Sequence, residues 1–151
     1  MTQDKQEPSA KNPREESTSE QPKDGPCVLV AEDDDEMRKL LARVLYADGY
    51  DTVECCDGVD LFAHLEPFII HSKALDFKAI VADIRMPGLT GLEILEDLHD
   101  YKGFPPMILI TAFGDVGIHA RAKLAGAAAI LDKPFGIEKL LAKLHEIVPV
   151  H

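Results

Sequence analysis

From Cys27 onward, the hydrophobic positions of this chain alternate between short continuous apolar runs and longer segments of helical period. Residues 27–31 read Cys-Val-Leu-Val-Ala, a run typical of a strand that is covered on both faces. The next apolar positions recur at intervals of three and four residues and predict one face of a helix: Met37, Leu40, Leu41, Val44 and Leu45. Asp48-Gly49 is a typical helix end, so we expect the helix to stop there.

The same alternation continues to the carboxyl end of the chain. Further strands are predicted at 50–55, 78–82, 107–110 and 128–131. Further helices are predicted from 58 to about 70, at 92–98, at 116–124, and along the closing stripe of Ile137, Leu140, Leu141, Leu144 and Val148. Strand–helix units in succession predict an α/β fold, a doubly wound five-stranded parallel sheet with right-handed crossovers and helices on both faces.

Residues 1–26 do not share this pattern. They contain no Val, Ile, Leu, Phe or Tyr, and they hold four of the ten prolines. Such a segment cannot bury enough apolar surface to offset the entropy lost on ordering. We therefore expect a disordered polar and acidic tail at 1–26, a folded domain at 27–148 and a short carboxyl end at 149–151.

The charge balance excludes some classes of partner. The 151 residues carry 16 basic and 27 acidic side chains, a formal net charge of −11, which disfavours direct binding to nucleic acid and to anionic membranes. No apolar run approaches the length of a membrane span, so we expect a soluble, cytoplasmic protein. Cys27, Cys55 and Cys56 lack the spacing of a zinc site or a disulfide framework, and no role is predicted for them.

Chemically active side chains follow the predicted strands, where a doubly wound sheet places its ligand site. Glu32 and Asp33 follow the first strand, where a nucleotide-binding fold would have glycines. Asp83, Thr111 and Lys133 follow the third, fourth and fifth strands. Clustered carboxylates favour Mg²⁺, and an adjacent Lys and Thr favour an incoming anion. This combination predicts phosphoryl transfer onto Asp83, which as a carboxylate needs no general base.

These residues carry a resemblance to a known family. Glu32-Asp33, Asp83 within D-x-x-M-P-G-x-x-G, Thr111-Ala112 and Lys133-Pro134-Phe135 stand in the order and at the spacing found in receiver domains of two-component response regulators. The resemblance covers residues 27–148. It implies a flavodoxin-like fold with strand order 2-1-3-4-5, the order that this family itself exemplifies.

The resemblance also implies roles and partners. A sensor histidine kinase or a phosphotransfer histidine would phosphorylate Asp83, and Lys133 and Thr111 would sense the phosphoryl group. Asp33, Asp83 and the backbone carbonyl of Arg85 would bind Mg²⁺ directly, and Glu32 would act mainly through water. The output would be a downstream protein or a fused output domain absent from this chain, with a phosphorylation-dependent dimer as a further expectation. Such a domain is not an enzyme in its own right, although it assists its own phosphorylation and dephosphorylation.

Three features depart from the family pattern. Ile130 stands where many members have a Tyr or Phe that moves with Thr111, so coupling to the face of the fourth helix and fifth strand is absent or runs through aliphatic packing. Glu32 replaces the commoner Asp. The stretch 58–83 is several residues longer than usual, and its apolar run 66–71 either extends the second helix against its own domain or forms a partner or self-association surface.

Phe113 and Arg85 lie two residues past Thr111 and Asp83. By the resemblance, these positions tune how readily water reaches the acyl phosphate. We expect replacement of Phe113 by a small polar residue to change the lifetime of phosphorylated Asp83, measured as the rate of dephosphorylation. An unchanged rate would contradict this role.

Other interpretations compete with a phosphoacceptor receiver. The acidic run 32–36 favours a helix N-terminus, with Asp34 or Asp35 as the cap, so only Glu32 and Asp33 are assigned to the pocket. A pseudo-receiver that binds partners without phosphorylation is the main alternative. A Mg²⁺-dependent phosphatase would have a second Asp where this chain has Arg85, and a flavin-binding fold is disfavoured by the acidic first loop.

Overall fold

The computed structural model describes residues 25–112 and 116–150, which form one five-stranded parallel sheet of order β2-β1-β3-β4-β5. The strands are β1 Cys27–Ala31, β2 Asp51–Cys55, β3 Phe77–Asp83, β4 Met107–Thr111 and β5 Ala129–Asp132. The helices are α1 Asp35–Ala47, α2 Gly58–His71, α3 Gly91–Leu98, α4 Val116–Leu124 and α5 Ile137–Ile147. The expected fold class and strand order are confirmed.

Alternate residues of each inner strand face opposite layers of helices. In β1, Leu29 and Ala31 belong to the hydrophobic cluster that includes residues of α2, α3 and α4. Val28 and Val30 belong to the cluster that includes residues of α1 and α5. Because side chains alternate across a strand, a continuous apolar run fills both layers at once. Because all five strands are parallel, their carboxyl ends lie along one edge of the sheet.

Several boundaries differ from the prediction by one residue. Strand β3 includes Asp83 as its last residue, and β5 runs from Ala129 to Asp132. Tyr50 precedes β2; its buried ring stacks near His145, and its hydroxyl donates a hydrogen bond of 2.7 Å to the Val148 carbonyl. In α1, Leu41 and Leu45 are buried but Leu40 is 41% exposed, because it lies at the margin of the apolar stripe.

Helix α2 continues through Pro67 to His71. Phe68 is buried, with its ring 5.9 Å from that of Phe104 and 6.3 Å from that of Tyr101. This burial favours continuation of the helix despite the missing amide hydrogen of Pro67. Phe68 and the partly buried Ile69 therefore pack on their own domain, whereas the other residues of the run are exposed. Ile70 is 59% exposed, and a role in self-association stays a prediction.

Two sequence expectations concern residues outside the described part of the chain. The tail at 1–26 falls there up to residue 24, and so does Phe113. Within the described residues, no helix has the length and apolar character needed to span a bilayer.

Candidate functional site

The residues expected at the strand ends converge at the carboxyl edge of the sheet. Glu32 follows β1, Asp83 ends β3, Thr111 ends β4 and Lys133 follows β5. Among the described residues, the buried polar or charged ones are Glu32, Asp83 and Thr111. Burial of charged groups costs free energy unless they are paired, so such a cluster at a strand edge is typical of a functional site.

Lys133 is the cation that holds this cluster together. Its Nζ lies 2.7 Å from Asp83 Oδ2 and 3.1 Å from Glu32 Oε1. Its backbone N–H donates a hydrogen bond of 2.6 Å to the Thr111 carbonyl, which fixes the β5–α5 loop against β4. Burial alone would lower the pKa of Lys133, but hydrogen bonds and charge from Asp83 and Glu32 outweigh it and raise the pKa. Lys133 is therefore a stable ammonium group.

The acidic loop after β1 is braced by backbone and side-chain hydrogen bonds. Asp34 is the N-cap of α1, accepting from the N–H groups of Glu36 and Met37, and its own N–H donates to Glu32 Oε2 at 3.1 Å. Arg38 Nη1 donates to the Glu32 carbonyl at 2.9 Å. These bonds leave Asp33 exposed at the mouth of the site and Glu32 inside it.

The surroundings of Glu32 disfavour the ionised form of its carboxyl group. Burial raises the pKa of its carboxyl to about 7, and the charge of Asp83 adds to this, while hydrogen bonds from the Asp34 N–H and from Lys133 oppose it. The negative charge of ionised Glu32 is therefore only partly balanced, because Lys133 pairs with Asp83 as well as with Glu32. A second cation at this edge would stabilise the ionised form of Glu32.

The donor set fits a divalent cation. Glu32, Asp33 and Asp83 each offer a carboxylate oxygen, and these oxygens all lie within 4.8 Å of one another. Hard carboxylate oxygens that share one recess are the ligands that Mg²⁺ prefers, usually together with retained water. The residues present therefore fit the expected metal.

The loop between β3 and α3 orients Asp83. The Arg85 N–H donates a hydrogen bond of 2.8 Å to Asp83 Oδ1. The loop ends in a capping box: the Glu93 N–H donates to Thr90 Oγ1 at 3.1 Å, and the Thr90 N–H donates to Glu93 Oε1 at 3.0 Å. The box fixes where α3 begins and so limits the paths the loop can take.

Replacing Thr90 by Ala is expected to lower the free energy of unfolding by about 1 kcal/mol, because the first turn of α3 loses its side-chain cap. Urea unfolding of the two proteins measures the difference. Asp97→Ala is the control, since Asp97 is exposed in the same helix, and it should change the free energy by less than about 0.5 kcal/mol. Equal losses in both variants would contradict the capping role.

The structure brings together five of the eight residues singled out from the sequence: Glu32, Asp33, Asp83, Thr111 and Lys133. Arg85 contacts Asp83 through its backbone N–H. Ile130 lies in β5 opposite Leu109 and is partly buried against the core. Sequence analysis missed Arg38, which also pairs with Glu54 at 3.1 Å. The available signal was an Arg at the fourth residue of the helix that follows the acidic loop.

The strand order and the acidic recess with its lysine define this molecule as a receiver-type α/β domain. The chain belongs to the family of response regulator receiver domains, whose model matches residues 28–145. It is thus a domain of two-component signalling.

Individual relatives agree with this assignment. The transcriptional regulatory protein FixJ of Bradyrhizobium diazoefficiens is 32% identical over 121 residues, which are 80% of this chain and 56% of FixJ. The transcriptional regulatory protein TcrA of Mycobacterium tuberculosis is 31% identical over 123 residues, 82% of this chain and 46% of TcrA. The chain thus spans about half the length of these curated relatives.

A solved structure supports the fold independently. The chemotaxis response regulator CheY4 of Vibrio cholerae superposes with a TM-score of 0.68 at 27% identity. The match covers 82% of this chain and 99% of the CheY4 chain.

Proposed function

We propose that Asp83 accepts a phosphoryl group, in a Mg²⁺-dependent reaction, from a sensor histidine kinase or a phosphotransfer histidine. The observation that carries this proposal is the environment of the Asp83 carboxylate. Lys133 Nζ donates to Oδ2 and the Arg85 N–H donates to Oδ1. One carboxylate oxygen each of Glu32 and Asp33 lies within 4.8 Å of an Asp83 oxygen. An acceptor oriented through both oxygens is suited to in-line attack on phosphorus.

The transfer balances without a base from the protein. An Asp83 oxygen forms the bond to phosphorus as the bond from phosphorus to the donor imidazole breaks, and the imidazole keeps the electron pair. Asp33, Asp83 and the Arg85 carbonyl would hold Mg²⁺ directly, and Glu32 would act mainly through water. The bound cation would supply positive charge to the phosphoryl oxygens. The Lys133 ammonium and the Thr111 hydroxyl would bind the remaining oxygens.

We further propose that the ion pairs of Lys133 with Asp83 and Glu32 change when Asp83 is phosphorylated, and that this change switches the domain between two states. Lys133 pairs with Asp83 and Glu32, so a phosphoryl group on Asp83 would compete for its ammonium. The loops that bear Lys133 and Thr111 would respond together, because the Lys133 N–H donates a hydrogen bond to the Thr111 carbonyl. The partner-binding surface would then change through the loops after β4 and β5 and through aliphatic packing at Ile130.

We also propose the bounds of the domain, its output and its location. Residues 27–148 would form the receiver unit, with 1–26 as a tail outside it. The output would be a downstream protein or a fused output domain, and phosphorylation would favour a dimer. Because a histidine kinase draws its phosphate from ATP, we propose a cytoplasmic location. The domain assists its own phosphorylation and dephosphorylation without turning over another substrate.

Acetyl phosphate with Mg²⁺ tests the proposal without the kinase. The intact mass of the wild-type chain is expected to rise by one phosphate, and the gain should disappear in Asp83→Asn and on chelation of Mg²⁺. Borohydride reduction of the acyl phosphate should mark residue 83 in peptide mass spectra. Asp97→Asn is the matched control, because Asp97 is an exposed carboxylate outside the site, and it should be phosphorylated like the wild type.

A gain of phosphate in Asp83→Asn equal to the wild type would overturn the assignment of the acceptor. No gain in the wild type, from acetyl phosphate or from any histidine donor tried, would favour the phosphorylation-independent pseudo-receiver. Asp33→Asn separates metal binding from acceptance. It should need more Mg²⁺ for the same rate while keeping the modification at Asp83.

A further inference from the structure

A second group of metal-ligand side chains lies at the carboxyl end of β2, apart from the acidic recess. Cys55 ends β2, and Asp60 and His64 lie in the first two turns of α2. Cys55 Sγ is 3.4 Å from His64 Nδ1, and His64 Nδ1 is 3.5 Å from Asp60 Oδ1. One ligand atom from each residue lies within 4.8 Å of the others.

Local structure fixes all three side chains. Asp60 and His64 are four residues apart, so they share one face of α2. The Cys56 N–H donates to Asp60 Oδ2 at 3.2 Å, which holds the carboxylate towards the end of β2. The His64 ring packs edge-on against Phe77, with centroids 6.3 Å apart. Cys55 is fully buried, whereas Asp60 and His64 are about one-third exposed. A cation could therefore enter from the helix side.

We propose that Cys55, Asp60 and His64 form a site for a Zn²⁺-class transition metal. A tetrahedral Zn²⁺ bound to sulfur, nitrogen and oxygen at ordinary bond lengths separates its ligand atoms by about 3.3–3.6 Å. The distances from Cys55 Sγ to His64 Nδ1, 3.4 Å, and from His64 Nδ1 to Asp60 Oδ1, 3.5 Å, lie in this range. A thiolate and an imidazole select Zn²⁺ or Co²⁺ over Mg²⁺, and water would occupy the fourth position.

Charge and protons balance at this site. One divalent cation, one thiolate, one carboxylate and a neutral imidazole sum to zero, which suits a half-buried position. The Cys55 thiol must lose its proton to bind the metal, and that proton leaves to the buffer. His64 Nδ1 donates a hydrogen bond of 2.9 Å to the Asp60 carbonyl. For Nδ1 to bind the metal, the neutral ring gives up this proton to solvent and takes one up at Nε2.

Co²⁺ is the probe, because its thiolate complexes absorb strongly. The full chain is titrated with Co²⁺ in excess Mg²⁺, which is added to compete for the carboxylate recess. We expect one equivalent to produce a thiolate-to-cobalt charge-transfer band and tetrahedral visible absorption, and Zn²⁺ to displace both. Zn²⁺ should also raise the melting temperature. Phosphorylation of Asp83 is read separately, so failure of either proposal is distinguishable from failure of the other.

Variants identify the ligands. His64→Gln and Cys55→Ser should each weaken Co²⁺ binding by more than the roughly 10- to 100-fold that loss of an outer partner costs. Two matched controls lie outside the cluster: His99, whose Nδ1 also contacts the carbonyl four residues back, and the half-buried Cys27. His99→Gln and Cys27→Ser should bind normally. His64 is partly exposed, so His64→Gln keeps the test decisive if Cys55→Ser does not fold.

Two results would overturn the site. One is a Co²⁺ spectrum without a charge-transfer band, which would leave a hydrogen-bonded Cys–His pair only. The other is a band that forms at the same Co²⁺ concentration in Cys55→Ser or in His64→Gln as in the wild type.

Discussion

Replacing Lys133 by Met is expected to lower the free energy of unfolding by about 2–4 kcal/mol in metal-free buffer. Lys133 pairs with both Asp83 and Glu32, whose side chains are nearly inaccessible to solvent. Without the ammonium, two buried carboxylates face each other with their repulsion uncompensated, and one must take up a proton. Urea unfolding in the presence of a chelator measures the loss.

Mg²⁺ should restore much of this stability, because a divalent cation among Glu32, Asp33 and Asp83 supplies the missing positive charge. Lys143→Met is the matched control. Lys143 is 43% exposed and pairs with Glu146 on the same helix, so its loss should cost less than about 1 kcal/mol with or without Mg²⁺. Equal losses in the two variants would show that Lys133 acts as an ordinary surface charge.

Gly58→Ala should destabilise the fold by about 3 kcal/mol or more. A Cβ at position 58 would lie 1.8 Å from the Leu89 carbonyl oxygen and less than 3 Å from two other backbone atoms of Leu89. Backbone cannot move aside as a side chain can, and the Gly58 N–H also donates to the Pro87 carbonyl at 3.1 Å. In an open helix the same change would stabilise, because Ala has the higher helix propensity.

The consequence should reach Asp83. Leu89 lies in the loop that orients this carboxylate, so the folded fraction of Gly58→Ala should react with acetyl phosphate more slowly. Gly136→Ala is the control, because a Cβ there meets the movable carboxylate of Glu138; it should change stability by less than about 1 kcal/mol. A stable Gly58→Ala protein with a normal rate would show that the loop yields without cost.

Periodicity predicted the elements of this fold to within a residue or so at most boundaries, since strand and helix patterns depend on local spacing. It placed Leu40 on the buried face of α1, although 41% of this residue is exposed. The period shows which side of the helix faces the core, but it does not show how much of that side the neighbouring elements cover. It also left the end of α2 open at Pro67, because the aromatic contacts of Phe68 come from residues more than thirty positions away.

For the candidate site, the order of strands and motifs along the chain was enough to predict which residues lie together. Parallel strands end at one edge, so Glu32, Asp83, Thr111 and Lys133 had to lie close together. It did not determine their depth or pairing. Only the tertiary structure showed that Glu32 is buried, that Lys133 pairs with both carboxylates and that Arg38 braces the loop.

The cysteines show the same division most clearly. Their spacing in the sequence predicted no metal site, because the ligand patterns known from sequence are short repeats of Cys and His. Cys55 meets Asp60 and His64 only because β2 leads directly into α2, and the first turns of that helix fold back over the end of the strand. Local pattern thus fixed the order of elements and the edge where the chemistry lies. Distances, burial and charge pairing depend on how layers close over that edge, and only the folded chain decided them.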